Sequence, residues 1–200
     1  MSQTPDYDGR EIKILLPPEA VRTRPKMYIG STDHRGLHVL LRFTVESLLS
    51  HYTFLGQPLD EIMIRLEDDG NATLTCNGPT ISAAFLERSA QALERELQAQ
   101  TVRTSLFIVN ALCERLVVTR RGSDNHWRSL LFEQGVFGHD EELTSPPNED
   151  GDIWLRLWPD LTILESGVFD YQATVELMRP FSDSDPALTI TVIDARSHTA

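Results

Sequence analysis

The spacing of apolar residues predicts one long helix in the first third of the chain. Between Gly36 and about Leu55, apolar residues recur at intervals of three, four and eight, the spacing of one face of an α-helix. Residues 56–58, Gly-Gln-Pro, are typical of a helix end. A shorter helix is predicted to begin at Pro17, because proline costs nothing in a first turn, and to end at Pro25. The apolar face of the long helix consists of Leu37, Leu40, Leu41, Val45, Leu48 and Leu49.

Alternating apolar and polar residues predict strands in much of the remaining chain. Residues 60–67 alternate, residues 68–71 form a turn, and residues 72–76 return as the second strand of a hairpin. Helices grouped against a mostly antiparallel, mixed sheet predict an α/β (α+β) fold, a two-layer sandwich. The other predicted elements are helices at residues 83–99, 101–113 and 169–178, strands at 115–121, 126–133, 153–158 and 188–193, a turn at 122–125, and a loop rich in acidic residues and proline at 135–151.

The length and composition fit one globular unit with short extensions at both ends. Of the 200 residues, 1–16 are predicted to be an N-terminal arm, 17–195 a single domain, and 196–200 a flexible tail. The N-terminus is polar and acidic, and no apolar run has the length of a membrane span. We therefore expect a cytoplasmic protein that does not bind membranes.

The charge balance argues against a nucleic-acid partner. Thirty acidic residues against 18 basic residues give a formal net charge of −12, and the basic residues form no dense stripe. Direct binding to nucleic acid is not expected, and an acidic surface that imitates DNA stays open as an alternative. Cys76 and Cys113 have neither CxxC spacing nor histidine partners, so we expect two reduced, packed thiols and no metal site.

Several short motifs occur in the order that a known family has. They are RPKMYIG at residues 24–30, GLH at 36–38, VNAL at 109–112, LWPD at 157–160 and FDY at 169–171. Together they resemble the N-terminal ATPase domain of the DNA gyrase B subunit and of other type IIA topoisomerases, which has the GHKL (Bergerat) ATPase fold. The resemblance covers residues 7 to about 195. It implies the sandwich fold, without a counterpart of the transducer domain that follows in the family.

The resemblance also shows where the family's reactive groups are missing. In the family, the long helix carries a catalytic Glu and a Mg²⁺-binding Asn, and those positions read Phe43 and Ser47 here. A phenyl ring cannot deprotonate water, and one hydroxyl is a poor replacement for an amide oxygen on a hard metal ion. Glu46, three residues beyond Phe43, is the candidate substitute base. Its other interpretation is an ordinary helix-surface glutamate.

Two further nucleotide-binding motifs are also degenerate. The family's D-x-G-x-G motif corresponds to Cys-Asn-Gly-Pro-Thr at residues 76–80, so only Gly78 remains and Asn77 is the nearby group that could contact a base. The family's glycine-rich lid corresponds to residues 98–105, which contain no glycine. Because the base, the metal ligand, the adenine anchor and the phosphate cradle are lost together, we expect neither ATP turnover nor a cofactor.

The arm, in contrast, keeps the features that the resemblance assigns to an interface. Tyr7 and Ile12 have the spacing of an arm Tyr and Ile that reach the partner protomer in the family. The other interpretation is a disordered terminus. The apolar residues between Ile12 and Leu16 favour the interface, since that surface needs to be buried.

These observations predict a catalytically inactive pseudoenzyme that acts through protein–protein contacts. The expected partner is a second copy, forming a dimer, or a gyrase/topoisomerase B-type subunit. The alternative is a residual ATP- or Mg²⁺-nucleotide-binding protein that uses Glu46, Ser47, Asn77 and Gly78 and hydrolyses weakly or not at all. The former pocket could also take another, apolar ligand or be filled by the protein's own side chains. Of these two outcomes, a filled core is the expectation.

Overall fold

The computed structural model describes Leu15 and residues 17–54, 59–77, 105–121, 126–145, 151 and 153–197. Five helices and seven strands lie in these ranges. The helices are α1 (Pro17–Thr23), α2 (Lys26–Ile29), α3 (His34–Phe54), α4 (Ser105–Leu112) and α5 (Tyr171–Ser184). The strands are β1 (Glu61–Leu66), β2 (Ala72–Asn77), β3 (Cys113–Arg121), β4 (Trp127–Glu133), β5 (Val136–Leu143), β6 (Ile153–Pro159) and β7 (Thr189–Asp194).

The strands form one mixed sheet with the order β5-β4-β3-β6-β2-β1-β7. Five of its six neighbouring pairs are antiparallel, and only β1 and β7 run parallel. The predicted hairpin is confirmed, because Glu61 pairs with Asn77 and Leu66 with Ala72. A mostly antiparallel sheet with helices packed against it confirms the predicted two-layer sandwich.

The core lies between α3, α4 and one face of the sheet. The stripe predicted on the long helix is buried apart from Leu49, which is partly buried, and Leu37, Leu40 and Leu41 are fully inaccessible to solvent. Alternate strand residues meet it, such as Ile62 and Ile64 of β1. Each fully buried side chain of this kind contributes about 1.5 to 3 kcal/mol. This layer fixes α3 against the centre of the sheet. It thereby positions Phe43, Glu46 and Ser47, which lie on α3.

Three elements differ clearly from the sequence prediction. The short helix α2 at Lys26–Ile29 was not predicted. Residues 136–143 form β5, although a loop was predicted there; β5 pairs with β4 across a tight turn at Gln134 and Gly135, and seven of its eight residues are exposed. Charged, exposed edge strands lack the apolar alternation by which strands are predicted. The last helix begins at Tyr171 and continues to Ser184 with Pro180 inside it, so the predicted end at residue 178 was too early.

Several predictions fall wholly or partly outside the described residues. These are the arm with Tyr7 and Ile12, the helix at residues 83–99, the turn at 122–125 and the end of the tail at 198–200. The first two tail residues do make contacts: Arg196 bonds Asp194 and the Phe169 carbonyl, and Ser197 bonds Asp68. Both cysteines are free and buried, as predicted. No helix within the described ranges is long and apolar enough to cross a membrane.

Candidate functional site

Helix α3 holds the positions at which the resemblance expects a base and a metal ligand. Phe43 is half-buried and packs against the core cluster. Ser47 lies one turn further along the helix and is also half-buried. The Glu46 carboxylate accepts a hydrogen bond of 2.8 Å from Nε of Arg42, one turn earlier. The only carboxylate among these positions is therefore engaged on the helix surface.

The end of β2 holds the remnants of the second motif. Asn77 is the last residue of the strand, and its backbone carbonyl accepts a hydrogen bond from the Asp60 amide at 3.2 Å. Its side-chain oxygen lies close to Gly151, 3.4 Å from the position that a Cβ on that glycine would take. The adjoining Gly78 lies outside the described residues.

The contact between α3 and β2 near this motif is made by Tyr52 and Cys76. Tyr52 is only 1% exposed, and its hydroxyl lies 3.5 Å from Sγ of Cys76. The same sulfur lies 3.9 Å from the carbonyl oxygen of Ile153, to which it donates. By the resemblance, Cys76 holds the position of the adenine-binding Asp. A buried phenol from α3 and a buried thiol from β2 therefore make the contact between these two elements.

Among the candidate residues that the structure describes, the side chains are not joined into a cluster. In the described ranges, no hydrogen bond joins the side chains of Phe43, Glu46, Ser47 and Asn77. The same ranges contain no group of three His, Cys, Asp or Glu side chains that could hold a metal ion. The described contacts of Phe43 and Glu46 are core packing and one surface ion pair.

A second set of polar contacts lies near the C-terminal end of α4 and connects α1 to the residue that follows β6. Arg22 donates through Nη2 to Asp160 Oδ2 at 2.6 Å and through Nη1 to the Ala111 carbonyl at 2.9 Å. The backbone N–H and the hydroxyl of Thr162 both donate to Asp160 Oδ1. Burial alone would raise the pKa of Asp160, but the hydrogen bonds from Thr162 and Arg22 hold it below its ordinary value. We call this set the Arg22 clamp.

The buried Cys113 thiol lies close enough to Asp160 for the carboxylate charge to affect its pKa. Its pKa is raised, first by burial and then by the Asp160 carboxylate, while Arg22 opposes the shift. A thiol with a raised pKa is a poor nucleophile and a poor metal ligand at neutral pH. Cys113 is therefore a packing residue.

Beside the clamp lies a groove of about 510 Å³ between α1 and the β4–β5 turn. The turn approaches α1 closely, because a Cβ on Gly135 would come within 2.9 Å of Pro18 and 3.2 Å of Ala111. Gly135 also has a φ of +85°, which favours glycine. We call this feature the α1 groove; its lining residues are Pro18, Glu19, Arg22, Thr23, Glu133, Gln134, Val136 and Ile163.

Sequence reasoning did not single out Tyr52, the Arg22 clamp or the α1 groove. Tyr52 extends the apolar stripe of α3, since it follows Leu48 by four residues, and this spacing was the available signal. Arg22 and Asp160 lie within or next to the quoted motifs, but 138 residues separate them. No local pattern pairs residues at that distance.

Curated proteins similar to this chain share one description. The DNA gyrase B subunit from Haloferax volcanii is 30% identical over 216 residues, covering 98% of this chain and 34% of the relative. Its counterpart from Archaeoglobus fulgidus is 29% identical, covering 96% of this chain and 33% of the relative. The chain resembles the N-terminal domain of the DNA gyrase B subunit. It spans about a third of the length of these gyrase B relatives.

The fold agrees with the gyrase B resemblance. The B-subunit of the DNA gyrase from Myxococcus xanthus superimposes with a TM-score of 0.73 at 22% identity, covering 89% of this chain and 53% of that structure. No protein-family model matches the chain. The gyrase B resemblance predicted from the motifs is confirmed, as is the fold that it implies.

Proposed function

We propose that this chain is a gyrase B-like ATPase-domain homologue that does not turn over ATP and acts by binding another protein. The observation that carries this proposal is the burial of Tyr52 against Cys76 between α3 and β2. The resemblance expects a nucleotide to be anchored there. In this chain an aromatic side chain from the protein itself supplies the packing.

Loss of the base supports the absence of hydrolysis. A general base needs a proton-accepting atom within hydrogen-bond reach of the attacking water, and Phe43 has none. Glu46 is the candidate replacement, but Arg42 holds its carboxylate at 2.8 Å on the helix surface. The ion pair with Arg42 favours the charged carboxylate and makes Glu46 a weaker base.

Loss of the adenine anchor supports the absence of nucleotide binding. A carboxylate accepts strong hydrogen bonds from an amino group, whereas a thiol is a weak donor and a weak acceptor. The Cys76 sulfur already lies next to the Tyr52 hydroxyl and the Ile153 carbonyl. An adenine buried there would lack the carboxylate partner for its amino group that the resemblance expects, which is unfavourable away from water.

The proposed partner is a gyrase- or topoisomerase-type B subunit, or a second copy of this chain, in the cytoplasm. Tyr7 and Ile12 of the arm remain the predicted interface residues, and they lie outside the described part of the chain. The net charge of −12 supports a protein partner over nucleic acid.

Calorimetry with ATP, ADP and Mg²⁺ tests the inactive-site proposal. We expect no saturable heat at millimolar nucleotide, and no phosphate release. The double variant Phe43→Glu with Ser47→Asn restores the two family residues on α3, and we expect it to stay inactive because Tyr52 and Cys76 are unchanged. Saturable, Mg²⁺-dependent binding that Asn77→Trp abolishes would instead establish the residual nucleotide-binding function.

Mixing the purified chain with a gyrase B ATPase domain tests the partner proposal. We expect co-elution in size-exclusion chromatography and a change in the ATPase rate of the partner. Replacing Tyr7 and Ile12 by alanine should abolish both effects, whereas Met27→Ala, which alters an exposed residue of α2, is the control. Absence of a hetero-complex together with a monomeric chain would rule out both proposed partners.

A further inference from the structure

We infer that the face of the sheet opposite the core binds an acidic segment of a partner protein around Trp158. The residues that would bind it are Arg115, Arg156 and Trp158, and we call them the Arg–Trp face. This inference rests on the proposed function and deepens it, since it names a surface and a partner chemistry for a chain that acts through protein contacts.

The register of β3 and β6 places these three residues on one face of the sheet. Leu116 pairs with Leu157, and both side chains are fully buried in the core. Because side chains alternate along a strand, the preceding Arg115 and its cross-strand partner Trp158 lie on the opposite face. Arg156 lies two residues before Trp158 and therefore shares that face.

No helix of the described ranges covers this face. Each of the five helices contributes buried apolar residues to the core cluster on the other side of the sheet. Arg115 is exposed, and Arg156 and Trp158 are half-buried. Val117 and Leu131, which pair across β3 and β4, lie on the same face and are also half-buried. The surface thus combines two guanidinium groups with one aromatic and two aliphatic side chains.

Both guanidinium groups lie against the ring of Trp158. Cζ of Arg115 is 3.7 Å from the ring centroid, and Cζ of Arg156 is 4.8 Å from it. These contacts are favourable because the face of an aromatic ring attracts cations. A guanidinium stacked on a ring keeps the N–H groups along its edge for two-point hydrogen bonds to a carboxylate. Of these donors, only Nε of Arg156 is used in the described ranges, by Asn71 Oδ1 at 2.9 Å.

The positive charge of this face is not matched within the described part of the chain. Two carboxylates lie nearby: Asp69 Oδ2 accepts a hydrogen bond from Nε1 of Trp158 at 3.2 Å, and Glu133 lies opposite Arg115 on β4. Neither forms an ion pair with Arg115 or Arg156. By contrast, ion pairs with carboxylates are formed by Arg22, Arg35, Arg42, Arg65, Arg128 and Arg196. The two guanidinium groups on Trp158 are therefore available to a carboxylate from another molecule.

The Arg–Trp face is ordered by contacts that need no partner. The hydrogen bond to Asp69 fixes the indole ring, and the hydrogen bond to the fully buried Asn71 fixes the Arg156 side chain. Binding to a surface that is already ordered avoids part of the entropic cost of association. Trp and Arg are also enriched among the residues that contribute most to binding at protein interfaces.

An acidic peptide segment suits this face better than a nucleic acid does. A nucleic acid carries a negative charge at every phosphate, and the chain's net charge of −12 repels such a polymer. Two guanidinium groups next to Val117 and Leu131 instead match a short segment with one or two carboxylates and a flanking apolar side chain. The sequence-based expectation against nucleic acid is compatible with this choice.

Fluorescence anisotropy with a labelled peptide tests this inference on the full chain. The probe is a nine-residue peptide of alternating glutamate and leucine, and the control peptide has glutamine in place of glutamate. A single-stranded oligothymidine of nine nucleotides tests nucleic acid. We expect saturable binding of the glutamate peptide that weakens at high salt, and no binding of the other two probes. Equal binding of the two peptides, or tighter binding of the oligonucleotide, would overturn the inference.

Substitutions that remove charge locate the site. Arg115→Gln with Arg156→Gln should weaken peptide binding about tenfold or more, because charged hydrogen bonds are lost. The matched control is Arg24→Gln with Arg179→Gln, which removes the same charge from two exposed arginines outside the sheet. We expect the control to bind like the wild type. Equal losses in both variants, at unchanged melting temperatures, would show general attraction and overturn the proposed site.

Substitution by lysine tests the stacked geometry separately from the charge. Arg115→Lys with Arg156→Lys keeps the net charge but removes the planar donors, so binding should weaken about threefold or more. A lysine variant that binds as tightly as the wild type would contradict the role of the stacked guanidinium groups.

A last variant distinguishes a partner from the chain's own arm, which contains Asp6, Asp8 and Glu11. If these carboxylates occupied the Arg–Trp face, replacing them by Asn, Asn and Gln would release it, and the probe would bind more tightly. We expect unchanged affinity, and tighter binding would overturn the inference in favour of the arm. These measurements use neither nucleotide nor a gyrase B ATPase domain, so the inference and the proposed function can fail separately.

Discussion

The contact of α3 with β2 and the contact of α1 with the end of β6 are built in opposite ways. The first joins Tyr52 to Cys76, and both residues are at most 1% exposed and offer little polar chemistry. The second joins Arg22 to Asp160 through charged hydrogen bonds beside an open groove. The comparison shows that Cys76, at a position where the gyrase B resemblance expects a polar group, is buried against an aromatic side chain of the same chain. The Arg22–Asp160 contact lies beside a groove for which the resemblance gave no expectation.

Removing the Tyr52 side chain should reduce the free energy of unfolding more than any other substitution proposed here. Tyr52→Ala deletes a fully buried ring and leaves a cavity beside Cys76, so we expect a loss of about 3 to 5 kcal/mol in the free energy of unfolding. Tyr52→Phe keeps the ring and removes the hydroxyl with its contact to sulfur, so it should cost less than Tyr52→Ala. Urea denaturation measures both. A Tyr52→Ala variant within error of the wild type would mean that the interface is not closed.

Removing the Arg22 side chain tests the Arg22–Asp160 contact, which is the polar one of the two. Arg22→Met leaves the Asp160 carboxylate buried with only Thr162 as a side-chain partner, and we expect a loss of about 3 kcal/mol. The double variant Arg22→Met with Asp160→Asn should recover part of that loss, because no unpaired charge remains. If the single and double variants are equally stable, the ion pair is not the interaction that holds α1.

The acid dependence of stability should follow from Asp160. Its pKa is lower in the folded chain than in the unfolded chain, so the unfolded state binds more protons as the pH falls. The stabilisation is complete above the unfolded pKa of about 3.9 and is lost as the pH falls through the folded value. Asp160→Asn should therefore be less stable than the wild type at neutral pH, and this difference should shrink in acid. Thermal melts between neutral and acidic pH measure it, and a difference that is constant with pH would contradict the assignment.

The sequence predicted the elements whose signal is local. The stripe on α3 and the alternation in β1 each reflect one buried face, and both elements appear where the pattern put them. Strand β2 is buried on both faces, and it was predicted as the hairpin partner that follows the turn at residues 68–71. Strand β5 was missed because its exposed, charged residues carry no such signal. The end of α5 was missed because Pro180, normally a helix breaker, lies inside the helix.

The sequence predicted which positions belong to the candidate site, but it did not predict the contacts that those residues make. The resemblance placed Phe43 and Cys76 at former nucleotide-binding positions, and inspection of those residue types suggested lost chemistry. What fills the interface depends on Tyr52, which approaches Cys76 across 24 residues of sequence. The Arg22–Asp160 pair spans 138 residues. Contacts at such separations are set by the packing of the sheet and helices, and no local spacing encodes them.

The smallest change in the free energy of unfolding is expected from the surface ion pair on α3. Breaking this pair also tests whether Glu46 can act as a base. Arg42→Ala removes an exposed i,i+4 partner of Glu46, so the free energy of unfolding should change by no more than about 0.5 kcal/mol. The same substitution releases the one carboxylate near Phe43 that could act as a base. If Glu46 were a base masked by Arg42, phosphate release from ATP would appear in this variant and disappear again on adding Glu46→Gln. We expect no release in either variant, because the Tyr52–Cys76 contact persists and a freed base has no bound nucleotide to act on.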